Sequence, residues 1–318
     1  MTSSARLFSL EEIRSRLTAI NPVVCVEEAF RAFSAGNAIV PAPGELIFDN
    51  PPGDVHIKYG YIGGGEFYVV KIASGFYENP RHGLPSSNGL MLAFERQTGA
   101  LAAILDDRGH LTDIRTAAAG AVAAKYLAPA EVDTIGVIGT GMQAELQVKF
   151  LQTVRPCKNV LVWGRRKEGA EAYAEKMRQD GYSVTVAGSV EEVAERCRII
   201  VTTTPSIVPH LHGAMIRKGT HITAMGADTP EKRELHADVF SAADMVVVDS
   251  RVQGSLRGDL KGALDAGTVD IGRVSELGQI IAGDAKARSG ADQVTIASLT
   301  GLAVQDVAIA SAVIAGDA

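Results

Sequence analysis

The stretch Val137-Ile138-Gly139-Thr140-Gly141-Met142-Gln143-Ala144 determines the fold. It sets two glycines and a small third residue, spaced as Gly139-x-Gly141-x-x-Ala144, between a strand pattern and a helix pattern. In a dinucleotide-binding turn the first glycine permits the tight bend, and the second lets the backbone approach a pyrophosphate. The small third residue lets helix and strand pack closely, and the helix N-terminus faces the phosphates. The stretch therefore predicts a Rossmann-type site for NAD or NADP.

Strand and helix patterns alternate on both sides of this turn. The predicted strands cover residues 134–138, 160–163, 183–186, 199–203, 220–225 and 245–249, and the predicted helices cover 142–154, 167–180 and 190–197. Such alternation is typical of a doubly wound parallel sheet. We therefore predict an α/β fold with a doubly wound parallel Rossmann sheet, which forms an NAD(P)-binding domain over residues 118–298.

The first part of the chain has a different pattern. Apolar runs at 66–72, 89–94 and 101–106 are separated by turn-forming residues, and this spacing indicates an antiparallel sheet. An alanine-rich helix is predicted at 116–127, between the domains, and another at 299–315. We predict a second, α+β domain over residues 1–117, completed by the tail at 299–318.

Composition and charge indicate an ordinary globular protein. Of the 318 residues, 46% are hydrophobic and 21% are charged, and the formal net charge is −6. This acidic balance argues against binding to nucleic acid or to an anionic membrane. No apolar stretch approaches the roughly 20 residues that cross a bilayer, and the first nine residues do not resemble a signal peptide. We expect a cytoplasmic protein with no nucleic-acid or membrane partner.

Cysteine and histidine positions give no metal site. Cys25, Cys157 and Cys197 lie far apart, and an odd, sparse set suits a reducing compartment. His210 and His212 would share one face of a strand, but the sequence shows no third ligand beside them. We therefore expect no bound metal.

Further cofactor contacts are predicted at the ends of the later strands. Where NAD enzymes usually place an acidic residue, about 20 residues beyond the turn, the chain reads Gly164-Arg165-Arg166. An arginine there could bind a 2′-phosphate or stack on adenine, so NAD and NADP both stay open. Three threonines end a strand toward the ribose, although threonine is also simply common in strands. The predicted cofactor-binding residues are Gly139, Thr140, Gly141, Met142, Gln143, Ala144, Gly164, Arg165, Arg166, Thr202, Thr203, Thr204, Met225, Gly226 and Asp249.

Four blocks of the chain carry a resemblance to a known family. They are the segment Asp113-Ile114-Arg115-Thr116-Ala117-Ala118-Ala119, the glycine turn, and residues 225–235 and 298–306. In this order they resemble the ornithine cyclodeaminase and mu-crystallin family. The resemblance implies a homodimer whose first domain and C-terminal tail form the dimer interface and the substrate pocket. It also implies chemistry through an imine and a nicotinamide hydride, and it favours NAD slightly over NADP.

The resemblance also implies roles for individual residues. It implies that Lys71 is the active-site lysine and that Asp228 is the catalytic carboxylate. It also implies that Arg115 binds the substrate carboxylate, with Thr116 beside it. A planar guanidinium suits a bidentate carboxylate contact. A cation and a carboxylate near an imine nitrogen can manage its proton. Without the resemblance, Lys71 could be a strand-edge lysine, Arg115 a member of a surface ion pair, and Asp228 a helix cap.

The chain departs from the family pattern upstream of Lys71. No arginine follows Val40-Pro41, and the glutamate expected of a cyclodeaminase is not evident. Lys58, with His56 near it, stands where members often read Met-Pro. These departures argue against ornithine cyclisation. A cation at Lys58 could bind a second acidic group on the substrate, unless it is an exposed strand lysine.

We therefore predict an NAD(P)-dependent imine reductase or amino-acid dehydrogenase. Its substrate would be a small imino or amino acid with two carboxylates. The most specific form of this prediction is the reduction of iminosuccinate to L-aspartate. One alternative is a cyclodeaminase-type or ectoine-pathway lyase that keeps NAD tightly bound. Another is a mu-crystallin-like protein that binds NADPH and a small ligand without turnover.

Overall fold

The structure is a computed structural model that describes residues 5–76 and 78–316, so residues 1–4, 77, 317 and 318 lie outside the described part. The strands, numbered along the chain, are β1 (Arg6–Phe8), β2 (Ala38–Ile39), β3 (Gly44–Asp49), β4 (Pro52–Ile62), β5 (Phe67–Phe76), β6 (Ser87–Glu95), β7 (Leu101–Leu105), β8 (Ile135–Ile138), β9 (Asn159–Trp163), β10 (Ser183–Val186), β11 (Ile199–Thr202), β12 (His221–Ala224), β13 (Met245–Val248), β14 (Val274–Glu276) and β15 (Thr295–Ser298). The α-helices are α1 (Leu10–Leu17), α2 (Pro22–Ser34), α3 (His110–Leu127), α4 (Met142–Leu151), α5 (Lys167–Gln179), α6 (Val190–Arg196), α7 (Ala237–Ser241), α8 (Arg251–Leu256), α9 (Gly258–Asp265), α10 (Leu277–Ala282) and α11 (Ala303–Ala315).

The helix α3 begins six residues earlier than the sequence predicts. Arg108 and Gly109 both have positive φ, of 53° and 83°, so the chain turns sharply before the helix. Asp107 Oδ2 then accepts a hydrogen bond from the Leu111 N–H at 2.7 Å and satisfies a backbone group at the start of the helix. As a result Arg115 lies inside α3 and not before it. In the part of the chain that the structure describes, no helix has both the length and the apolar character of a membrane span.

The chain divides into two compact units, one formed by Met1–Arg115 with Leu302–Ala318 and the other by Thr116–Gly301. The first unit holds a mixed sheet with the strand order β1-β7-β6-β5-β4-β2, and β3 also pairs with β4. The strands β3 to β7 are antiparallel neighbours, which confirms the predicted antiparallel sheet. In contrast β1 runs parallel to β7, a pairing that three residues could not reveal in advance.

The C-terminal helix completes the core of the first unit. Contacts of α11 reach α2, β4 and β5. Its buried residues Val307, Ile309 and Val313 join Met91 and Leu105 of the sheet in one apolar cluster. Burial of this apolar surface keeps the tail on the sheet.

The second unit holds a sheet of parallel strands in the order β10-β9-β8-β11-β12-β15-β13-β14. Its central strands β8, β11, β12 and β15 are buried throughout, as expected of parallel strands covered on both faces. The chain moves outward from β8 to β9 and β10, then returns to β11 on the other side. This confirms the predicted doubly wound α/β fold, and the reversal between β8 and β11 creates the crevice in which such sheets bind ligands.

Candidate functional site

The glycine turn connects β8 to α4 in the second unit. Gly139 has φ of +126°, and an added Cβ would lie 2.4 Å from Thr203 Oγ1. Ala144 is completely buried against the strands. Gly141 is the N-terminal cap residue of α4 and is exposed. No atom lies within 4 Å of the position that an added Cβ would take at Gly141. The fold thus requires Gly139 and Ala144 to be small, whereas the open space at Gly141 suits a phosphate at the helix N-terminus.

A cavity opens at the carboxyl ends of β8, β9 and β11. It includes eight of the predicted cofactor residues, and an added Cβ at one of them, Gly164, would lie 2.5 Å from Thr140 Cγ2. The cavity also includes Trp163 and His210, whose rings meet edge to face at 5.3 Å. Burial, with the nearby Arg165, lowers the pKa of His210. The lining residues are Gly139, Thr140, Gly141, Trp163, Gly164, Arg165, Arg166, Thr203, Thr204, Pro205, Ser206 and His210.

The other predicted cofactor residues lie in α4 or are bonded within the fold. Met142, Gln143 and Ala144 form the first turn of α4. The Met225 N–H donates to the Thr202 carbonyl at 3.0 Å. The Asp249 carboxylate accepts hydrogen bonds from the N–H groups of Thr300 and Gly301 at 2.9 and 2.6 Å, so this side chain ties the loop after β15 to the end of β13.

Glu234 joins the ends of β11 and β12, and sequence analysis did not single it out. Its carboxylate is fully buried. It accepts hydrogen bonds from Thr202 Oγ1 at 2.8 Å, from Thr204 Oγ1 at 2.9 Å and from the Gly226 N–H at 2.6 Å. Burial, together with the neighbouring Asp259 carboxyl, raises the pKa of Glu234 to about 7. Because Thr204 lines the cavity, Glu234 sets the position of one cavity wall.

A second buried carboxyl holds the segment that carries Asp228. Asp259 Oδ1 accepts from the Glu234 and Leu235 N–H groups at 2.7 and 3.0 Å, and burial raises the pKa of Asp259 to about 6. Arg257 Nη1 donates to the Asp228 carbonyl at 3.2 Å. The Asp228 side chain is about one-third exposed and accepts from Lys232 Nζ at 2.8 Å. The start of α9 therefore braces the loop on which Asp228 lies.

In the first unit, buried charged side chains meet from β5, α3 and α11. Lys71, Arg115 and Asp306 are 2%, 5% and 1% exposed. Arg115 Nε lies 3.0 Å from Asp306 Oδ1, and Lys71 Nζ lies 3.8 Å from Asp306 Oδ2. Arg115 Nη1 also donates to Gln305 Oε1 at 2.7 Å. Arg115 is therefore not a surface residue, and Lys71 lies on a central strand between β4 and β6 and not at an edge.

Several polar atoms of this cluster lack a hydrogen-bond partner among the described residues. They are Arg115 Nε, Gln305 Nε2 and both carboxylate oxygens of Asp306. The Arg115–Asp306 contact is an ion pair by distance, but its N–H does not point at the oxygen closely enough to count as a hydrogen bond. Buried polar atoms are normally satisfied by protein, water or ligand. The cluster therefore has the chemistry of a site for a small polar ligand.

Lys58 lies beside Lys71 in this cluster. The two are directly paired across β4 and β5, so their side chains share one face, with Cβ atoms roughly 4.5–5.5 Å apart. Lys58 is 6% exposed, which rules out an exposed strand lysine. On the same strand His56 is also buried, and its ring nitrogens lie 3.3 Å from Glu45 and 3.4 Å from Asp54. The two lysines therefore place positive charge side by side on one face of the sheet.

The structure thus brings Lys58, Lys71 and Arg115 together in the first unit. Thr116 follows as the first residue of the second unit, where its carbonyl accepts from Gln147 Nε2 at 3.0 Å. Sequence analysis missed Gln305 and Asp306, although both lie within a quoted block. The available signal was a glutamine followed by an aspartate in the first turns of the alanine-rich α11, whose other residues are apolar except for one serine.

Comparisons with known proteins give consistent results. Residues 5–315 match the sequence model of the "Ornithine cyclodeaminase/mu-crystallin family". An "Uncharacterized cyclodeaminase y4tK" of Sinorhizobium fredii is 40% identical over 92% of this chain and 89% of its own length. The alanine dehydrogenase of Archaeoglobus fulgidus is 34% identical over 96% of this chain and 93% of its own length. The iminosuccinate reductase of Paracoccus denitrificans is 33% identical over 96% and 94% of the two chains.

Solved structures share the whole fold. An archaeal alanine dehydrogenase dimer with bound NAD is 33% identical, with a TM-score of 0.89 over 98% of this chain and 95% of that chain. The Δ1-pyrroline-2-carboxylate reductase of Thermococcus litoralis, in complex with NADH and L-proline, is 30% identical, with a TM-score of 0.92 over 98% and 97%. A lysine cyclodeaminase is 27% identical, with a TM-score of 0.86 over 99% and 92%. With its doubly wound sheet, its glycine turn and these full-length matches, the chain belongs to the ornithine cyclodeaminase/mu-crystallin family.

Proposed function

We propose that this protein is an NAD(H)-dependent imine reductase that converts an imino acid to the amino acid. The observation that carries the proposal is the buried cluster of Lys71, Arg115, Gln305 and Asp306, with its unsatisfied polar atoms. A carboxylate and an imine nitrogen would satisfy such a cluster. The relatives described as alanine dehydrogenase, iminosuccinate reductase and pyrroline-2-carboxylate reductase support this class of reaction.

The cavity of the second unit fits a nicotinamide dinucleotide. Gly141 leaves room for the pyrophosphate at the start of α4, and Gly139 and Gly164 keep the turn close to β9 and β11. When bound, NADH supplies the hydride. The structures solved with NAD and NADH support this cofactor. Arg165 and Arg166 are exposed at the cavity, so NADP stays a second option that the assay must test.

In the proposed reaction, two residues of the first unit act on the substrate and a third positions them. Arg115 binds the carboxylate next to the imine, because a guanidinium can offer two parallel hydrogen bonds to it. Asp306 compensates the charge of Arg115 and Lys71 and holds both in place. Lys71 carries the proton that the imine nitrogen takes up as hydride reaches the carbon. By the family resemblance, Asp228 is the proposed catalytic carboxylate and Thr116 a proposed substrate-binding residue; both belong to the second unit.

The pairing of Lys58 with Lys71 favours a substrate with two carboxylates. A second carboxylate on the substrate would find positive charge from two buried lysines on this face. Iminosuccinate, reduced to L-aspartate, is our best assignment, and the iminosuccinate reductase relative agrees with it. The proposed enzyme is a homodimer, as the archaeal alanine dehydrogenase structure suggests by analogy.

The test is a screen of imines in which oxidation of NADH and NADPH is followed separately by absorbance. The substrates are iminosuccinate (from oxaloacetate and ammonia), iminopyruvate (from pyruvate and ammonia) and Δ1-pyrroline-2-carboxylate. We expect oxidation of NADH to be fastest with iminosuccinate and well above that with iminopyruvate. Absence of NADH and NADPH oxidation with every imine would refute the proposed reductase.

A cyclodeaminase is the second candidate, because a lysine cyclodeaminase shares the fold and the relative y4tK bears that name. Such an enzyme returns the hydride to its own intermediate, so the bulk absorbance of NADH does not change. Release of ammonia from ornithine or lysine without net change in NADH would select this candidate. We rank it second because no arginine follows Val40-Pro41 to hold the substrate carboxylate together with Arg115, and because the glutamate expected of a cyclodeaminase upstream of Lys58 is not evident.

A further inference from the structure

Two segments of the second unit run side by side beyond the cofactor cavity. Leu211 and Leu235 form an isolated parallel bridge, and the His236 N–H donates to the Leu211 carbonyl at 2.8 Å. Both leucines are buried in the apolar core. Because side chains alternate along extended backbone, the next residue on each segment points away from that core. These residues are His212 and His236, which therefore lie next to each other on the outer side.

A carboxylate completes the group. Asp238 Oδ1 accepts a hydrogen bond from the Gly213 N–H at 2.7 Å and lies 2.9 Å from His236 Nδ1. The rings of His212 and His236 have centroids 4.6 Å apart. One potential ligand atom from each of the three residues lies within 4.8 Å of the others. At Gly213 an added Cβ would lie 2.7 Å from the Asp238 carbonyl oxygen, so only a glycine lets the segments come this close.

We propose that His212, His236 and Asp238 bind a divalent transition-metal ion, with Zn²⁺ as the test ion. Two imidazole nitrogens and one carboxylate oxygen are a ligand set that zinc uses, and water can fill the fourth position. The ligands come from backbone that is already fixed by the bridge and by the Gly213 hydrogen bond. Small rotations of the side chains then suffice to bring the three atoms onto one ion. This site is independent of the proposed reductase chemistry.

The proposal revises the expectation that came from the sequence. His212 finds its partners at His236 and Asp238, about two dozen residues further along the chain, and its near neighbour His210 instead lines the cofactor cavity. A bound ion would link the end of the segment that carries His210 to the start of α7. We therefore expect zinc to raise the melting temperature of the chain.

The experiment is a calorimetric titration of ZnCl₂ into the tag-free, full-length protein after treatment with a chelator. We expect one ion per chain. His212→Gln, His236→Asn and Asp238→Asn should each weaken zinc binding by about tenfold or more, because each removes one of three ligands. The replacements preserve local structure. His236 Nδ1 accepts from the Asp238 N–H at 3.4 Å and caps α7, and an asparagine at position 236 can still do so. An asparagine at position 238 can still accept from the Gly213 N–H. His82→Ala, at an exposed histidine of the first unit, is the matched control and should bind zinc like the parent.

Melting curves provide the second measurement. Without zinc each variant should melt close to the parent, and added zinc should raise the melting temperature of the parent and of His82→Ala only. The proposal is overturned if the parent binds no zinc saturably. It is also overturned if the variant with all three substitutions binds zinc as tightly as the parent.

Discussion

The cofactor cavity of the second unit and the charged cluster of the first unit differ in what forms them. The cavity depends on backbone and on missing side chains: an added Cβ at Gly139 or Gly164 would collide with a neighbour. The cluster depends on buried charges, because Lys71, Arg115 and Asp306 are almost completely removed from solvent. Burying charges is unfavourable unless each charge keeps its partners. The cavity should therefore be sensitive to added atoms, and the cluster to lost or altered charges.

The largest effect that we expect comes from Gly141→Val in the cavity. Nothing in the fold occupies the space around an added Cβ at Gly141, so the chain should still fold. The valine side chain would instead occupy the space that the pyrophosphate needs, and binding of NADH should become undetectable in a fluorescence titration. Gly139→Ala is the contrasting variant: its positive φ and the contact with Thr203 predict a loss of stability as well. Normal NADH affinity in Gly141→Val would show that the cofactor binds elsewhere.

The next effect belongs to the charged cluster. Arg115→Lys keeps the charge but removes the planar fork that binds a carboxylate in two places. We expect kcat/KM for the imine to fall, because the transition state loses on the order of 2–4 kcal/mol of stabilisation. The affinity for NADH should not change. Arg31→Lys, at a half-exposed ion pair on α2, is the matched control and should have parental kinetics. Near-parental kinetics in Arg115→Lys would remove Arg115 from the substrate site.

A smaller effect should appear as a dependence of stability on pH. The pKa of Glu234 is raised from the ordinary 4.5 to about 7 by burial, so between these values the folded chain holds a proton that the unfolded chain has lost. This contribution to stability is fully present below about pH 4.5 and is lost as the pH rises through about 7. One such proton changes the free energy of unfolding by at most about 1.4 kcal/mol per pH unit.

Urea denaturation between about pH 5 and about pH 8 measures this slope. Glu234→Gln should flatten it, although the buried Asp259 and Asp107 carboxyls, whose pKa values are also raised, leave part of the slope in place. Glu231→Gln changes an exposed glutamate of the same loop and should leave the slope unchanged. Equal slopes in the parent and in Glu234→Gln would mean that Glu234 stays ionised in the folded protein throughout this range.

The two regions also differ in how far they could be predicted from sequence. The glycine turn is contiguous, so the bend, the strand before it and the helix after it are visible in eight residues. The strands β9 to β13 lie within about two residues of the predicted ranges because each is a short apolar run with its own stops. In contrast β15 enters the sheet between β12 and β13 from far along the chain, and no local pattern indicates such a pairing.

The charged cluster could be predicted only in part from the sequence. Lys71 and Arg115 were predicted from the family resemblance, and their own surroundings in the sequence did not distinguish them from surface residues. Asp306 and Glu234 were missed because their importance depends on what packs around them. A carboxylate between Arg115 and Lys71 is a property of three distant segments that meet, and this meeting requires the folded chain.

The smallest effect that we predict concerns Lys58, which would set substrate choice within the cluster. Lys58→Met keeps most of the length of the side chain and removes its charge, so a second carboxylate loses one ion pair. We expect the preference for iminosuccinate over iminopyruvate, as a ratio of kcat/KM values, to narrow by ~10-fold or more, which corresponds to ~1.4 kcal/mol. Lys218→Met, at an exposed lysine, should leave the ratio unchanged.

The ratio is the informative quantity because a change in the folded fraction of the enzyme affects both substrates equally and cancels. Removal of one of two adjacent lysines can alter stability through their repulsion, but only a contact with the second carboxylate alters the ratio. An unchanged ratio in Lys58→Met would therefore assign Lys58 to the fold and leave the dicarboxylic substrate without support.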